Sequence, residues 1–242
     1  MIAKVLKIKC LTNLHVGNGD ENFDIIDNAV ERDPVTNYPT INSSGVKGAF
    51  REALSQFLCP KLIDEVFGGK GDGKPGKVKF LSANLLARPM RASKGSSPYY
   101  MVTTEKAVSI YNELTSSLLC NTSPLSAEKE DNTKETEGIL CPVTKGLSPF
   151  GIDDALVMDD EAYRNIALPV IARNKLDNGE SKQLWYEEIV PHESVFYTIV
   201  IGNDEKTLNI FINALNDINN IVQFGGNASV GYGLCRVTVT EG

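Results

Sequence analysis

Two helices with a single apolar stripe, each flanked by strand-like stretches, constrain this chain more than any other feature. MIAKVLKIKC alternates Lys7 and Lys9 with Leu6, Ile8 and Cys10, the period of a half-buried strand. A helix over about 44–58 follows, with Val46, Phe50, Ala53, Leu54 and Phe57 on its core side, and VKFLSANLLARP (78–89) reads as a second strand. Near the other end SVFYTIVI (194–201) reads as a strand, and Leu208, Phe211, Ile212, Leu215 and Ile218 repeat at helical spacing. LCRVTVT (234–240) then sets Cys235, Val237 and Val239 on one face of a last strand. Strand, helix and strand occurring twice predicts a ferredoxin-like (RNA-recognition-like) α+β sheet with helices on one face. Such a sheet serves RNA-binding domains and metabolic enzymes alike, so it does not settle function.

The 242 residues, 42% hydrophobic, fit one domain over 1–242 with an insertion around 96–165. That insertion carries a helix near 104–119 and the acidic run EKEDNTKETE (128–137), which reads as exposed. A net charge of -7 makes the molecule as a whole repel nucleic acid, so any nucleic-acid surface must come from uneven charge. The distribution is uneven: Lys70, Lys74, Lys77, Lys79, Arg88, Arg91 and Lys94 lie close together with one acid, Asp72. Five widely spaced cysteines form no C-x-x-C pair and no zinc-ligand pattern, so neither disulfides nor structural zinc are expected. No apolar run approaches membrane-spanning length, and a reducing cytoplasm is the consistent compartment.

Residues 12–39 are rich in Gly, Asn and Asp and read as a long irregular excursion. Loops longer than about 12–15 residues are uncommon unless they carry function. Directly after it, INSSGVKGAFREAL (41–54) places a Ser-Ser-Gly turn before a helix on which Lys47 and Arg51 are four apart and share a face. A phosphate would fit the unpaired N–H groups of that helix start. An ordinary cap by Ser43 or Ser44, with Lys47 and Arg51 merely solvated, is the competing reading. FGGKGDGKPGK (67–77) is a glycine-rich loop, and FGGNASVGYG (224–233) is a glycine-rich turn before the last strand.

Several of these stretches together carry a family pattern. LHVGNG, an isolated Asp about ten residues later, INSSGVKGAFR and the terminal GGNASVGYGLCRV resemble the RAMP superfamily of CRISPR-associated RNA-binding proteins. ARPMRASKG (87–95) and LPVIARNKLDNGESKQLWYEEIVPHESVFY (168–197) look like the repeated backbone subunit of the type III-B (Cmr) RNA-targeting complex. The resemblance spans most of the chain and is weakest over about 96–165.

That resemblance implies a subunit that assembles with copies of itself and other Cmr subunits along a guide RNA and cuts paired target RNA at regular intervals. It implies guide contacts from Ser43, Ser44, Lys47 and Arg51, from Arg88 and Arg91, and from Gly225, Gly226, Asn227 and Gly231. It also implies a protruding thumb, for which the basic 70–94 stretch or part of the middle region is the candidate. RNA brings its own nucleophile, the 2′-OH, so one loop carboxylate suffices as a base or as ligand of a divalent metal, Mg or Mn. The resemblance assigns that role to Asp27, with Asp24 as fallback and His15, Tyr186 and Glu187 as secondary residues. By residue type alone Asp27 equally reads as a turn cap, and His15 as a packed histidine.

Three other readings stay open at this level: a type III-A backbone subunit or non-cleaving guide scaffold, a guide-processing endoribonuclease, and a ferredoxin-like metabolic enzyme or interaction domain.

Overall fold

The computed structural model describes residues 2–19, 26–69, 73–118 and 120–240. After β1 (Ile2–Cys10) come β2 (Thr40–Ile41), α1 (Ser43–Leu54), α2 (Pro60–Phe67), β3 (Val78–Phe80) and β4 (Ala83–Arg91). The middle holds β5 (Tyr99–Thr103), α3 (Glu105–Ser117), β6 (Thr133–Thr136), β7 (Ile139–Thr144), β8 (Ala155–Val157) and α4 (Asp160–Asn165). β9 (Val170–Asp177) and β10 (Glu180–Glu188) pair with each other, and β11 (Val195–Gly202), α5 (Glu205–Asp217), β12 (Ile221–Gln223) and β13 (Leu234–Val239) close the chain.

One sheet runs in the order β12-β13-β1-β11-β4-β5-β8-β7-β6, with β2 added on β4 and β3 on β11. An inner strand, β11, is buried at every residue because both faces of the sheet are covered. Phe196 and Val200 point into a cluster with Phe50 of α1, Phe67 of α2 and Phe211 of α5. Val195, Tyr197, Ile199 and Ile201 point the opposite way, into a cluster with Val108 and Tyr111 of α3 and with Leu147 and Phe150. Helices on one face only, as the sequence predicts, is therefore corrected: the region expected as an insertion extends the sheet through β5–β8 and covers its second face.

Local deviations have local causes. The first helix stops at Leu54, and Phe57, expected on the core stripe, is 57% exposed. A short helix, α2, then starts at Pro60, whose fixed φ and missing N–H suit the first helical turn. Asn42, not Ser43 or Ser44, precedes α1, and its side chain makes no cap bond; the Ser43 N–H donates to Ser82 Oγ at 3.2 Å instead. Phe50 packs edge-on against Phe211 and Phe224, which ties α1 to α5 and to the start of the terminal glycine turn.

One hairpin is markedly exposed. It is the β9–β10 hairpin, exposed along most of its length and buried only at its root, at Glu187 and Glu188. Its turn holds Asn178 and Gly179 at φ 51° and 87°, the pair of positive φ values that suits the twist of a two-residue hairpin.

Candidate functional site

Four separated segments meet at the root of this hairpin. Leu14 and Val190 exchange backbone hydrogen bonds of 2.8 Å, which anchors residues 13–17 beside the end of the hairpin. Residues 27–28 run alongside β10: the Asp27 and Asn28 N–H groups both donate to Tyr186 O, at 3.1 and 3.2 Å, and the Glu188 N–H donates to Asn28 O at 2.9 Å. The terminal glycine turn sits on residues 13–15, with the Gly226 N–H on His15 O at 2.9 Å and the Gly233 N–H on Asn13 O at 2.8 Å. Residues 15, 27–28, 186–188 and 226, scattered in the sequence, are thus joined by backbone pairing.

Asp27 is exposed, and its Oδ2 accepts the Tyr186 N–H at 2.8 Å. That bond engages one of the two carboxylate oxygens. His15 is buried, with Nδ1 2.8 Å from Glu188 O. A carbonyl only accepts, so Nδ1 carries a proton in this bond, and Nε2 is the ring nitrogen it leaves unengaged. Glycine at 17 keeps that nitrogen uncrowded, since a Cβ there would stand 3.3 Å from Nε2.

Glu187 is the hub of the cluster. It is 5% exposed and accepts from four donors: Trp185 Nε1 (3.0 Å), Arg173 Nη1 (3.0 Å), Asn227 Nδ2 (3.1 Å) and, more weakly, Asn28 Nδ2 (3.5 Å). Burial pushes its pKa up, but the Trp185 indole, the Arg173 guanidinium and the nearby His15 outweigh that and hold the carboxyl below its ordinary range. Beside it, Glu188 accepts the Val30 N–H at 3.1 Å and pairs with Arg32, which locks the strap of residues 28–32 to the hairpin. A depressed folded pKa gives stability that is complete above the unfolded value of about 4.3 and is lost as pH falls through the folded one. The stability gap between wild type and Glu187→Gln is therefore expected to stay constant above about pH 5 and to close on further acidification, measured by urea denaturation across pH.

A resident metal does not fit the described residues well. Asp27 brings one carboxylate with one oxygen already engaged, and among the described residues no group of three or more His, Cys, Asp or Glu side chains converges on a cation site. Asp24 lies outside the described residues.

A model of the RAMP superfamily matches residues 7–236. The chain belongs to the RAMP superfamily. This RAMP chain is 24% identical over 288 residues to the CRISPR system Cmr endoribonuclease Cmr4 of Pyrococcus furiosus, an alignment covering 100% of the chain and 97% of that relative. Among solved structures it is similar to a chain of the type III-B Cmr-beta complex bound to cognate target RNA, with TM-score 0.81 and 23% identity, covering 99% of this chain and 98% of the other. It is also similar to oligomeric Cmr4 from Pyrococcus furiosus, with TM-score 0.71 and 18% identity over 100% and 99% of the two chains.

The RNA contacts expected of this RAMP domain are placed unevenly. Ser43, Ser44 and Lys47 are exposed at the start of α1, outside the hairpin cluster and joined to it through the Thr40 N–H on Glu31 O (3.0 Å). Arg51 is occupied: it donates to Gly68 O at 2.8 Å and pairs with Asp64 at 3.3 Å, tying α1 to α2. Arg88 is buried: it is 4% exposed, donates to Tyr163 O and Ile166 O, and lies 4.7 Å over the Tyr163 ring. Arg91 is exposed. Two residues of the basic stretch are ion-paired with acids from elsewhere: Lys77 with Glu65 and Asp204, and Lys94 with Glu135, while Lys70 falls outside the described residues. Gly225, Gly226, Asn227 and Gly231 form the turn on His15, with Asn227 turned inward to Glu187. Tyr186 offers its backbone to Asp27 and a partly exposed ring to solvent. Arg173, Asn28 and Tyr232 complete the cluster and are not among the expected site residues; for Arg173 the alternation of ARNKL and LWYEE is a signal, since it sets Arg173, Trp185 and Glu187 on one hairpin face.

Proposed function

We propose that this RAMP chain is the repeated backbone subunit of a type III-B CRISPR ribonucleoprotein that binds guide RNA and cuts paired target RNA at regular intervals. The carrying observation is the meeting of Asp27, His15 and Glu187 at the root of a projecting hairpin, in a chain alignable end to end with an endoribonuclease named Cmr4. The order β13-β1-β11-β4, with α1 and α5 as crossovers on one face, supports a ferredoxin-like core. The β9–β10 hairpin is the thumb in this reading, and a cytoplasmic location belongs to it.

Cleavage proceeds by attack of a ribose 2′-oxygen on the adjacent phosphorus. Asp27 Oδ1, or Nε2 of a neutral His15, is in place to receive the hydroxyl proton. If a divalent cation, Mg or Mn, takes part, Asp27 is the residue that would hold it, and the ion would supply stabilisation of developing charge. Guide phosphates find donors at the exposed residues Ser43, Ser44 and Lys47 and in the 225–231 turn, none of which reads bases.

The test is assembly of the complex with guide RNA and end-labelled complementary target, with and without divalent cation. Regularly spaced products are the expected result; target bound but uncut would make the subunit a scaffold, and failure to bind guide RNA at low salt would sink the reading. Lys47→Ala alone is expected to weaken RNA binding for all sequences alike and to reduce the salt slope by about one ion. Arg51→Ala, by contrast, should also cost folding stability, because it cuts α1 from α2.

A further inference from the structure

Attack on a phosphodiester builds negative charge on the nonbridging oxygens, and a preorganised cation there is worth more than one recruited during the reaction. The hairpin root holds such a cation. Arg173 sits in β9 opposite Trp185, its guanidinium 5.7 Å from the Trp185 ring centroid and 5.4 Å from that of Tyr232. One donor, Nη1, is gripped by Glu187 Oε2 at 3.0 Å, and the side chain is 19% exposed. Gripped and packed against two rings, the group cannot swing away, yet Nε and Nη2 make no hydrogen bond among the described residues. Its planar fork therefore still presents donors matched to a phosphate. The neighbouring arginine is already spent, since Arg32 is committed to Glu188 and to Asn37 O.

Glu187 is a poor proton carrier for the same reason that Arg173 is a good cation. Four donors occupy its oxygens, and three of them come from groups whose placement matters: Asn28 adjoins Asp27, Asn227 belongs to the glycine turn, and Arg173 is the cation itself.

We propose that Arg173 is a catalytic cation that contacts the scissile phosphate of the target RNA, and that Glu187 is the positioning residue that holds it. The proposal rests on the cleavage reading above. In the step it serves, the O2′–P bond forms and the P–O5′ bond breaks; the 2′-hydroxyl proton goes to Asp27 or His15, and the departing 5′-oxygen takes up a proton from water. The products are a 2′,3′-cyclic phosphate and a 5′-hydroxyl. Arg173 donates hydrogen bonds throughout and transfers no proton.

The experiment is single-turnover cleavage of target already bound to the assembled complex, with target affinity measured in parallel. Arg173→Gln is expected to slow cleavage roughly 100-fold while changing target affinity less than about threefold, the pattern of a contact made chiefly in the transition state. Arg173→Lys, which keeps the charge and loses the fork, should recover about tenfold of that loss. Glu187→Gln should slow cleavage roughly tenfold, and the double variant should be no slower than Arg173→Gln, because the glutamate acts through the arginine. Cleavage at the wild-type rate in Arg173→Gln, a slowing matched by weaker affinity, or additive effects in the double variant would overturn the assignment. Asp27→Ala run beside them separates the two levels: if it is inactive while Arg173→Gln is fully active, only this proposal falls, whereas an assembly that never cuts removes both.

Discussion

Asp27→Ala is expected to bind guide and target RNA as wild type does and to cut the bound target at least about 100-fold more slowly, the usual scale for a missing general base. The carboxylate is exposed, so its removal leaves no cavity, and it breaks a single hydrogen bond, from the Tyr186 N–H at 2.8 Å, which water can replace. Stability should therefore fall by no more than about 1 kcal/mol. Asp27→Asn sharpens the test, because an amide oxygen still accepts from Tyr186 but cannot take a proton. Equal defects in both variants would place the chemistry on the carboxylate; a fully active Asn variant would reduce Asp27 to a loop fastener and move the search to Asp24 and His15. Asp33 is a weaker candidate on geometry, since its Oδ1 already caps a turn by accepting from the Val35 N–H, the Thr36 N–H and the Thr36 hydroxyl.

The same contrast shows what the chain discloses before folding. β1, α1, α3, α5 and β13 are legible because each has a periodic apolar face, and β11 because burial on both sides makes it a continuous apolar run. The exposed β9–β10 hairpin is also legible, because Asn178-Gly179 between two alternating stretches is a strong hairpin signal. Charge misleads for a physical reason: sequence gives the sign of Arg88 and Lys77 but not that α4 buries the first and Glu65 and Asp204 neutralise the second. The site itself is assembled by backbone pairing of residues 27–28 with 186–188 and of residue 15 with 226. Such long-range contacts leave no periodicity. Among Asp20, Asp24, Asp27 and Asp33, residue type offers no choice, and family resemblance alone singles out Asp27.

The second large effect is expected at Gly225. Its φ of 71° disfavours any side chain, and an added Cβ would stand 2.2 Å from His15 O, a backbone atom that cannot rotate away. The turn must lift, which also breaks the Gly226 N–H bond to the same oxygen. Left-handed backbone, overpacking and the broken hydrogen bond together point to about 2–4 kcal/mol for Gly225→Ala, a large share of the roughly 5–15 kcal/mol typical of a domain. Two neighbours serve as controls. At Gly231, φ is 86° but nothing lies within 4 Å of the added Cβ, so alanine should cost only the conformational term of about 1 kcal/mol. At Gly226 the nearest atom is 3.9 Å away and φ is not positive, so alanine should be almost neutral. Equilibrium denaturation should rank the losses Gly225, then Gly231, then Gly226, and cleavage should fall most in the first because His15 moves with the turn. Equal stabilities across the three would mean that the turn does not rest on His15 in solution, and the guide-side loop and the cleavage site would then be independent of each other.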